Sequence, residues 1–598
     1  MPWVPRTLPL LLPGLRQRGD APRLYAKAQG RWQPLSCRGF YDQVRAATAG
    51  LERLGLHAGE RAVLLAESSP QWLIADFACQ SLGVANVPVY PTLTAEQTAF
   101  PARHSRARLA LVSNQAQRQK LEAQANELPA LRWIVCFDDG DEFSDPSIAG
   151  IVRLRWRELL ETPPPPEAEF EARLAAIAPE QTATLLYTSG TTGVPKAAPL
   201  THANLCANLE QTTRAFALGA DDRRLSVLPL SHITERHLAY LDMVCGMTTW
   251  FAESIEAIAA NLRETRPTVL AAVPRMYEKI AAAVRAEAAA RPRILQKVFA
   301  WAQSTGQRMA PYRLEDHAAP WGLRLADALA DRLVYRKLRA RLGGELRIAM
   351  SGGAALPRET AEFLLSLGWR LDQGYGMTET SPVIAMSRPG SRRLGSVGRP
   401  MANLELRFAE DGEILVRGPS VFAGYEDDPE ATAAAFTNGW FHTGDLGRLD
   451  QEGFLYISGR KKELLKTAGG KFISPQPLED KLKASPWIAE AMVVGEGRPY
   501  ASVLILPDFA ALEARARQAG WRWRDRAELC ALPQARALYA DEIEVLNRSL
   551  ARFETLKRFL LLAEEFSVAA GELTPTLKIR RAAIEAKYRT QIDQLYAS

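Results

Sequence analysis

The order of apolar and polar positions between residues 40 and 380 predicts alternating helices and strands. Phe40, Val44, Leu51 and Leu54 fall at helical spacing, and short apolar runs typical of buried strands follow them along the chain. The runs are RAVLLA (61–66), ARLALVS (107–113), LRWIVCF (131–137), TATLLYT (182–188), RRLSVLPL (223–230), PTVLAAVP (267–274) and LRIAMSGG (346–353). Because strands that alternate with amphipathic helices form parallel sheets, we predict an α/β fold with layered α/β subdomains.

The pattern changes twice in the second half of the chain. From about residue 395 the strands are shorter and rich in glycine, as in GEILVRGP (412–419), which predicts hairpins and a β-rich part at 395–459. After Arg460 strands and helices alternate again. We therefore predict a large N-terminal body at 1–459 and a smaller, mobile α+β C-terminal domain at 460–598.

Composition agrees with a chain of several globular domains. The 598 residues are 47% hydrophobic and 24% charged, which excludes disordered, collagen-like and disulfide-scaffold proteins. A net charge of +6 is small for this length and gives no reason to expect a nucleic-acid partner. The six cysteines are far apart, which indicates reduced core residues, and the proline-interrupted N-terminus does not resemble a secretory signal. The expected location is the cytoplasm, either soluble or peripheral to the inner face of the membrane.

The segment Tyr187–Lys196, YTSGTTGVPK, follows a predicted strand and has the composition of a phosphate-binding loop. Backbone N–H groups, hydroxyls and the Lys196 ammonium group are all donors, so they can bind an oligophosphate without a catalytic nucleophile. It is not a Walker A loop, because Pro195 stands where the second glycine is needed and Ala197 follows the lysine. The alternative is a Ser/Thr/Gly surface linker, but the preceding strand and the lysine favour phosphate binding.

Seven further motifs follow in a fixed order. They are LPLSHITER (228–236), SGGAALP (351–357), QGYGMTETSP (373–382), GEILVRGP (412–419), WFHTGDLG (440–447), SGRKKELLKTAGGKFISP (458–475) and LTPTLKIRR (573–581). Together with YTSGTTGVPK they resemble the acyl-adenylate-forming (AMP-forming) ligases, a superfamily of acyl-CoA synthetases, luciferases and peptide-synthetase adenylation domains. The forms of three motifs are most similar to the long-chain fatty-acid CoA ligases, with the bubblegum-type branch nearest.

This resemblance implies ATP as a substrate and Mg²⁺ as a cofactor. It implies that Glu379 binds Mg²⁺, Thr378 contacts the α-phosphate and Tyr375 stacks on the adenine. Asp445 would accept hydrogen bonds from both ribose hydroxyls, and Arg460 would reach the ribose from the hinge side. The implied nucleotide-binding residues are Thr188, Ser189, Gly190, Thr191, Thr192, Gly193, Lys196, Gly352, Gly353, Ala354, Tyr375, Gly376, Thr378, Asp445, Arg460 and Lys578.

The resemblance also implies two reaction steps and a moving C-terminal domain. Lys578 would bridge the carboxylate and the α-phosphate, and a hinge at Lys462 would then withdraw it and present another face to coenzyme A. On that face Gly469, Gly470 and Lys471 would lie near the pantetheine, although an exposed turn is an equal alternative for Lys471. The implied catalytic residues are therefore Lys578, Thr378, Glu379 and His232.

The acyl site is less defined by the sequence. His232 matches a family position near the carboxylate and the pocket entrance. Arg236 stands where some members have a tryptophan gate, so His232 and Arg236 are the predicted acyl-pocket or gate residues and a tryptophan-gate mechanism is not expected. Segment 284–342 is rich in arginine and apolar residues, so it either presents a basic amphipathic face to a membrane or packs as ordinary helices with solvated arginines.

The expected function is activation of a long-chain fatty acid to acyl-AMP with release of pyrophosphate, and then transfer to coenzyme A. Three alternatives remain open at this point. They are a fatty acyl-AMP ligase that loads a carrier protein, a ligase for another carboxylate, and an inactive homologue that binds lipid or nucleotide. Retention of Lys196, Glu379, Asp445, Arg460 and Lys578 together argues against the inactive homologue.

Overall fold

The computed structural model describes residues 3–138, 140, 147–188, 194–315, 317–568, 570–574 and 578–597. The fold is α/β, as predicted, and the body contains two large sheets. The first sheet has a parallel centre and antiparallel edges, and the hairpin that contains the predicted phosphate loop forms one of these edges. Its strands in spatial order are Lys196–Thr201, Thr182–Thr188, Ala85–Val89, Arg61–Leu65, Leu109–Val112, Trp133–Cys136, Ile151–Arg155 and Ser147–Ile148.

The second sheet is parallel through most of its width. Its strands in spatial order are Arg399–Pro400, Val383–Met386, Leu371–Gly376, Ile348–Ser351, Val269–Ala272, Arg223–Ser226, Thr248–Phe251, Pro22–Ala28 and Arg31–Ser36. The carboxyl ends of parallel strands meet at one edge of a sheet, which is where ligands bind in open α/β folds. The motifs SGGAALP and QGYGMTETSP therefore meet at this edge, since each begins in one of two neighbouring strands.

A third, antiparallel sheet lies within the region predicted to be β-rich. Its strands are Glu405–Phe408, Glu413–Arg417, Phe436–Thr437, Trp440–Leu449 and Leu455–Arg460. The last two strands form a ladder in which Asp445 and Arg460 are direct partners. Antiparallel pairing brings these two residues together although they are fifteen positions apart.

Amphipathic helices cover the sheets of the body. The first long helix, Cys37–Arg53, illustrates why these segments are helical. Ser36 caps the helix by accepting a hydrogen bond from the Gly39 amide, and its apolar face, with Phe40, Val44 and Leu51, is buried. The other body helices are Leu12–Gln17, Pro70–Ser81, Ala95–His104, Gln115–Glu122, Trp156–Leu160, Glu167–Ala176, His202–Ala215, Ile233–Cys245, Ile258–Thr265, Pro274–Ala289, Arg293–Leu314, Trp321–Ala330, Arg336–Ala340, Arg358–Ser366 and Pro429–Ala435.

The C-terminal part has its own hydrophobic core. The main core of the body ends at Leu455 and the next core begins at Leu465, which supports the proposed domain boundary near Arg460. Its strands are Leu465–Lys466, Phe472–Ile473, Ile488–Val494, Ala501–Pro507 and Leu556–Leu561. Its helices are Pro475–Lys483, Phe509–Gln518, Arg526–Ala531, Pro533–Asn547, Arg581–Lys587 and Arg589–Tyr596.

Two features of the whole chain bear on its setting. All six cysteines are free and buried: five lie in the body and Cys530 lies in the C-terminal core. None of the described helices combines the length and the apolar character needed to span a bilayer.

Candidate active site

The predicted phosphate loop joins two paired strands. Thr188 and Lys196 are direct partners in the antiparallel ladder, and the Thr188 hydroxyl donates to the Lys196 carbonyl over 3.4 Å. The ladder therefore fixes both ends of the loop. The residues predicted to contact phosphate inside it, Ser189, Gly190, Thr191, Thr192 and Gly193, lie outside the described residues.

Three polar side chains form a chain of hydrogen bonds between the second and third sheets. Tyr375 donates from its hydroxyl to Oδ2 of Asp445 over 2.8 Å, and Arg460 donates from Nε to Oδ1 over 2.7 Å. Asp445 is buried, and its ion pair with Arg460 offsets the cost of burying that charge. Burial raises the pKa of Tyr375 well above its ordinary value, so its hydroxyl stays a donor. The structure thus brings together three of the predicted nucleotide-binding residues.

Glu379 lies in a turn that directly follows the Leu371–Gly376 strand, beside the predicted α-phosphate residue Thr378. It is only 9% exposed, and burial raises the pKa of its carboxyl group. The Tyr425 hydroxyl donates to Glu379 Oε1 over 2.9 Å, and the Lys196 ammonium lies 5.0 Å from the centre of the Tyr425 ring. Tyr425 therefore links the predicted phosphate lysine to the predicted metal carboxylate.

Glycines at the carboxyl edge of the second sheet keep its backbone accessible. Gly352, Gly353 and Ala354 follow the Ile348–Ser351 strand, and Gly353 and Ala354 are exposed. Gly376 is required by packing, because a Cβ at this position would lie 1.9 Å from the Pro382 carbonyl oxygen. An exposed backbone ledge beside Tyr375 is the type of surface on which a flat base can lie.

Lys578 reaches the same cleft from the C-terminal domain. Two hydrogen bonds to Thr574 hold its backbone: the Thr574 amide donates to the Lys578 carbonyl over 2.8 Å, and the Lys578 amide donates to the Thr574 hydroxyl over 3.0 Å. Solvent reaches its side chain, yet the surrounding cleft and the positive charge of Arg460 lower the pKa of Lys578. The negative charges of Asp445 and Glu463 act in the opposite direction, so Lys578 lies within electrostatic range of the Asp445–Arg460 pair.

His232 lies at the start of the Ile233–Cys245 helix, and the charge of Lys578 contributes to its pKa. Burial, with a smaller contribution from the Lys578 charge, lowers the pKa of His232 to about 4, so the ring is neutral near neutral pH. Its Nδ1 accepts a hydrogen bond from the Thr234 amide over 3.1 Å. The proton of the neutral ring therefore sits on Nε2, which makes this nitrogen a donor.

The lowered pKa of Lys578 predicts the pH dependence of any reaction that needs its charge. We expect the rate of ATP–pyrophosphate exchange to fall at alkaline pH with an apparent pKa below the ordinary lysine value of 10.5, as Lys578 loses its proton. The Lys578→Arg variant cannot lose its charge in this range, so its residual exchange should lack that alkaline limb. An identical limb in both proteins would assign the titration to another group.

Arg236, predicted to lie at an acyl gate, is fully buried in the structure. It pairs with Asp76 and donates from Nε to the Tyr240 hydroxyl over 2.6 Å and from Nη1 to the Thr184 hydroxyl over 2.6 Å. A side chain held by three partners does not swing as a gate. The network favours a structural role, in which loss of either charged partner costs about 3–5 kcal/mol.

The predicted hinge and coenzyme A residues lie beyond Arg460. Lys462 is in the middle of a short 3₁₀ turn, Lys461–Glu463, whose first residue pairs with Asp411 over 2.6 Å and with Glu413 over 2.9 Å. The exposed turn with Gly469, Gly470 and Lys471 connects Leu465–Lys466 to Phe472–Ile473, and the Thr467 hydroxyl donates to the Lys471 carbonyl over 3.1 Å. Both of these assignments remain predictions.

Sequence reasoning did not find Tyr425. Its segment, GYEDDPE at 424–430, lies between two recognised motifs, and its four acidic residues draw attention away from the tyrosine. The role of this half-buried tyrosine depends on the partner of its hydroxyl, and Glu379 is 46 residues away in the chain.

Comparison with known proteins identifies relatives along the whole chain. A family described as AMP-binding enzyme matches residues 14–426, and one described as AMP-binding enzyme C-terminal domain matches residues 462–598. The long-chain-fatty-acid–CoA ligase FadD15 of Mycobacterium tuberculosis is 36% identical over 95% of this chain and 93% of its own length. The long-chain-fatty-acid–CoA ligase ACSBG2 of Xenopus laevis is 32% identical over 97% of this chain and 82% of its own length.

Solved structures share the fold at lower identity. The adenylation domain of a carboxylate reductase from Mycobacterium chelonae superposes with a TM-score of 0.78 at 22% identity, over 99% of this chain and 91% of that domain. The o-succinylbenzoate CoA synthetase of Bacillus subtilis, in complex with its acyl-adenylate intermediate, gives 0.65 at 21% identity over 96% of this chain and 97% of that one.

Proposed function

Since the chain belongs to the AMP-binding enzyme family in both its large and its small domain, we propose that it is a long-chain fatty-acid–CoA ligase. The observation that carries the chemistry is the arrival of Lys578 from the C-terminal domain at the Asp445–Arg460 pair of the body. The substrate class is supported by the similarity to long-chain-fatty-acid–CoA ligases over nearly the whole chain. An adenylating cleft alone would suit any carboxylate, so the two arguments are complementary.

In the first step a carboxylate oxygen attacks the α-phosphorus of ATP, and the bond from that phosphorus to the bridging oxygen breaks to release pyrophosphate. The carboxylate is already ionised near neutral pH, so no general base is needed. The obstacle is repulsion between two anions, which Lys196, Arg460 and Lys578 offset. His232 can donate from Nε2 to the carboxylate without adding a charge.

The residues present fit a magnesium ion shared with the nucleotide. Within the described residues no group of three His, Cys, Asp or Glu side chains is close enough to hold a metal ion by itself. Glu379 is a single buried carboxylate, and burial raises its pKa more than the Tyr425 hydroxyl and the Arg460 charge lower it. Mg²⁺ commonly binds one or two protein carboxylates together with phosphate oxygens, and it would neutralise phosphate charge there.

The Tyr425→Phe substitution tests how Glu379 is positioned. Without the hydroxyl the Glu379 carboxylate loses one hydrogen bond, so we expect the Mg²⁺ concentration for half-maximal pyrophosphate release to rise about fivefold. The rate at saturating Mg²⁺ should change little. Tyr456→Phe is the matched control, because its hydroxyl bonds Asp450 away from Glu379. An unchanged Mg²⁺ dependence in Tyr425→Phe would contradict this role.

In the second step the thiolate of coenzyme A attacks the acyl carbonyl carbon, and the bond to the phosphate oxygen of AMP breaks. For this step the C-terminal domain would rotate about Lys462 and withdraw Lys578. The glycines of the Thr467–Lys471 turn would then allow the pantetheine to approach the backbone closely. A short turn between two separate cores is suited to such a motion.

A pyrophosphate-release assay across a panel of carboxylates tests the proposed function. The panel should contain fatty acids of different chain length, aromatic acids and a bile acid, each measured with and without coenzyme A. We expect the highest kcat/KM with long-chain fatty acids, and acyl-CoA only when coenzyme A is present. Preference for an aromatic acid would overturn the substrate class. Release of acyl-AMP unaffected by coenzyme A would favour a carrier-protein ligase.

We also propose that the enzyme works in the cytoplasm and associates peripherally with the inner face of the membrane. Its proposed substrate has a long hydrocarbon chain that partitions into bilayers, so a surface-bound enzyme would meet it at high local concentration. Loss of acyl-CoA synthesis from vesicle-bound fatty acid after detachment of the enzyme would support this location.

A further inference from the structure

Exposed apolar side chains are concentrated in one helical segment. We name this segment the basic hairpin. Its first arm is the helix Arg293–Leu314. Its second arm consists of the helices Trp321–Ala330 and Arg336–Ala340 and the π-helical turn Asp331–Tyr335 between them. In the described part of the chain, fifteen large apolar residues are exposed, and seven of them lie in this hairpin. They are Ile294, Leu295, Trp301, Trp321, Leu325, Leu329 and Leu333. Such a concentration marks an interaction surface.

The inner face of the hairpin is fixed against the body. Gly306 packs so closely on the Arg358–Ser366 helix that a Cβ there would lie 1.7 Å from the Ser366 carbonyl oxygen. The Tyr335 hydroxyl donates to the Ala302 carbonyl over 2.5 Å, which joins the two arms of the hairpin. Leu323 of the second arm is buried. The opposite faces of both arms therefore point away from the body.

The outward faces carry apolar stripes. Trp321, Leu325 and Leu329 follow at intervals of four residues and are 78%, 62% and 50% exposed, so they share one side of their helix. On the first arm Ile294 and Trp301 are seven residues apart and are 76% and 39% exposed, which also places them on one side.

The charge of the hairpin is as unusual as its apolar exposure. Residues 293–340 contain nine Lys or Arg and four Asp or Glu, a net charge of +5, whereas the whole chain has +6. The acids of the second arm are already paired: Asp327 with Arg313 over 2.7 Å, and Asp331 with Arg339 over 2.5 Å. Arg324 and Arg332, next to the apolar stripe, have no acidic partner within the described ranges.

We propose that the basic hairpin binds the surface of an anionic lipid bilayer, with its helices in the plane of the interface. A stripe of Trp and Leu flanked by the exposed Arg324 and Arg332 matches that surface in both apolar character and charge. A second copy of this chain fits less well, because two hairpins that each carry a net charge of +5 would repel. The biological purpose of this binding rests on the proposed function, since a fatty-acid ligase would meet its substrate at the bilayer. Lipid binding itself depends only on the hairpin surface and can be measured without enzymatic activity.

Flotation of the full-length protein with vesicles tests the proposal without fatty acid or ATP. Vesicles of phosphatidylcholine with a third of phosphatidylglycerol should carry the protein at low salt, and pure phosphatidylcholine should carry much less. Trp321→Ser with Leu325→Ser, and separately Arg324→Glu with Arg332→Glu, should each reduce the bound fraction on the order of tenfold. Circular dichroism and ATP–pyrophosphate exchange confirm that the variants are folded.

Matched pairs elsewhere separate this surface from general changes in charge or hydrophobicity. Val545→Ser with Phe553→Ser removes other exposed apolar side chains, and Arg515→Glu with Arg522→Glu makes the same charge change in the C-terminal domain. Both control pairs should float like the unsubstituted protein. Equal losses in controls and hairpin variants, or no flotation of the unsubstituted protein, would overturn the proposal.

A different result would identify a different occupant. If light scattering shows a dimer that the hairpin substitutions dissociate, while vesicles bind neither protein, the surface joins two copies of this chain and the lipid proposal is wrong. Vesicle binding without pyrophosphate release from any carboxylate would count against the proposed function only.

Discussion

Lys578→Ala is expected to lower the rate of acyl-adenylate formation by about 10²–10³-fold, the usual cost of removing one group that stabilises a charged transition state. Lys578 is the cation that the C-terminal domain contributes beside the Asp445–Arg460 pair. Its loss leaves the approaching carboxylate and α-phosphate without that compensation. ATP–pyrophosphate exchange with a long-chain fatty acid measures this step directly.

The same variant should still make acyl-CoA from supplied acyl-AMP, because the amine is withdrawn in the proposed second step. Lys557→Ala is a suitable control, since Lys557 is an exposed lysine of the same domain that lies outside the cleft. Normal exchange in Lys578→Ala would refute the assignment. An equal loss of both half-reactions would indicate that Lys578 acts by holding the domain closed.

Lys462→Pro is expected to spare adenylation and to reduce acyl-CoA formation by about 100-fold, the scale of a misplaced reacting group. Proline fixes φ near −65°, which suits the 3₁₀ turn Lys461–Glu463 that holds the domain in its present orientation. A rotation about this residue needs a different φ, which proline prevents. The two half-reactions, assayed separately, measure the difference.

Lys462→Ala is the control for this second prediction, because it removes the side chain and leaves φ unrestricted. It should support both half-reactions at similar rates to the unsubstituted enzyme. A matching loss of adenylation in Lys462→Pro would show that the substitution disturbs the present orientation, and the hinge would have to be sought elsewhere.

The main strands of the fold were accessible from the sequence because burial on both faces produces apolar runs. RAVLLA and LRIAMSGG became the strands Arg61–Leu65 and Ile348–Ser351 within a few residues. The hairpin Pro22–Ala28 and Arg31–Ser36 was not predicted, because its pattern is mixed and half-exposed, and it joins the second sheet only by pairing with Thr248–Phe251. Such pairing depends on tertiary contact that local sequence does not encode.

The residues of the candidate site likewise fall into those that the sequence could predict and those that it could not. Glu379, Asp445, Arg460 and Lys578 were accessible because each stands in a recognisable motif, and the structure places the last three in one electrostatic group. The roles of Tyr425 and Arg236 were not accessible, since each depends on a partner far away in the chain. For Arg236 the motif indicated only that the tryptophan of some family members is missing, whereas its buried ion pair with Asp76 depends on the fold.

The buried cysteines can report which of the two hydrophobic cores unfolds, because a cysteine reacts with an alkylating reagent only when it is exposed. Burial raises the pKa of Cys206 and Cys245 in the body to about 12 and that of Cys530 to about 11, so all three stay protonated and unreactive while their cores are closed. A rigid rotation of the C-terminal domain leaves them protected, whereas local unfolding exposes them. Mass spectrometry of alkylated peptides would therefore measure the rate of unfolding of each core separately. Alkylation of Cys530 would report the core of the C-terminal domain.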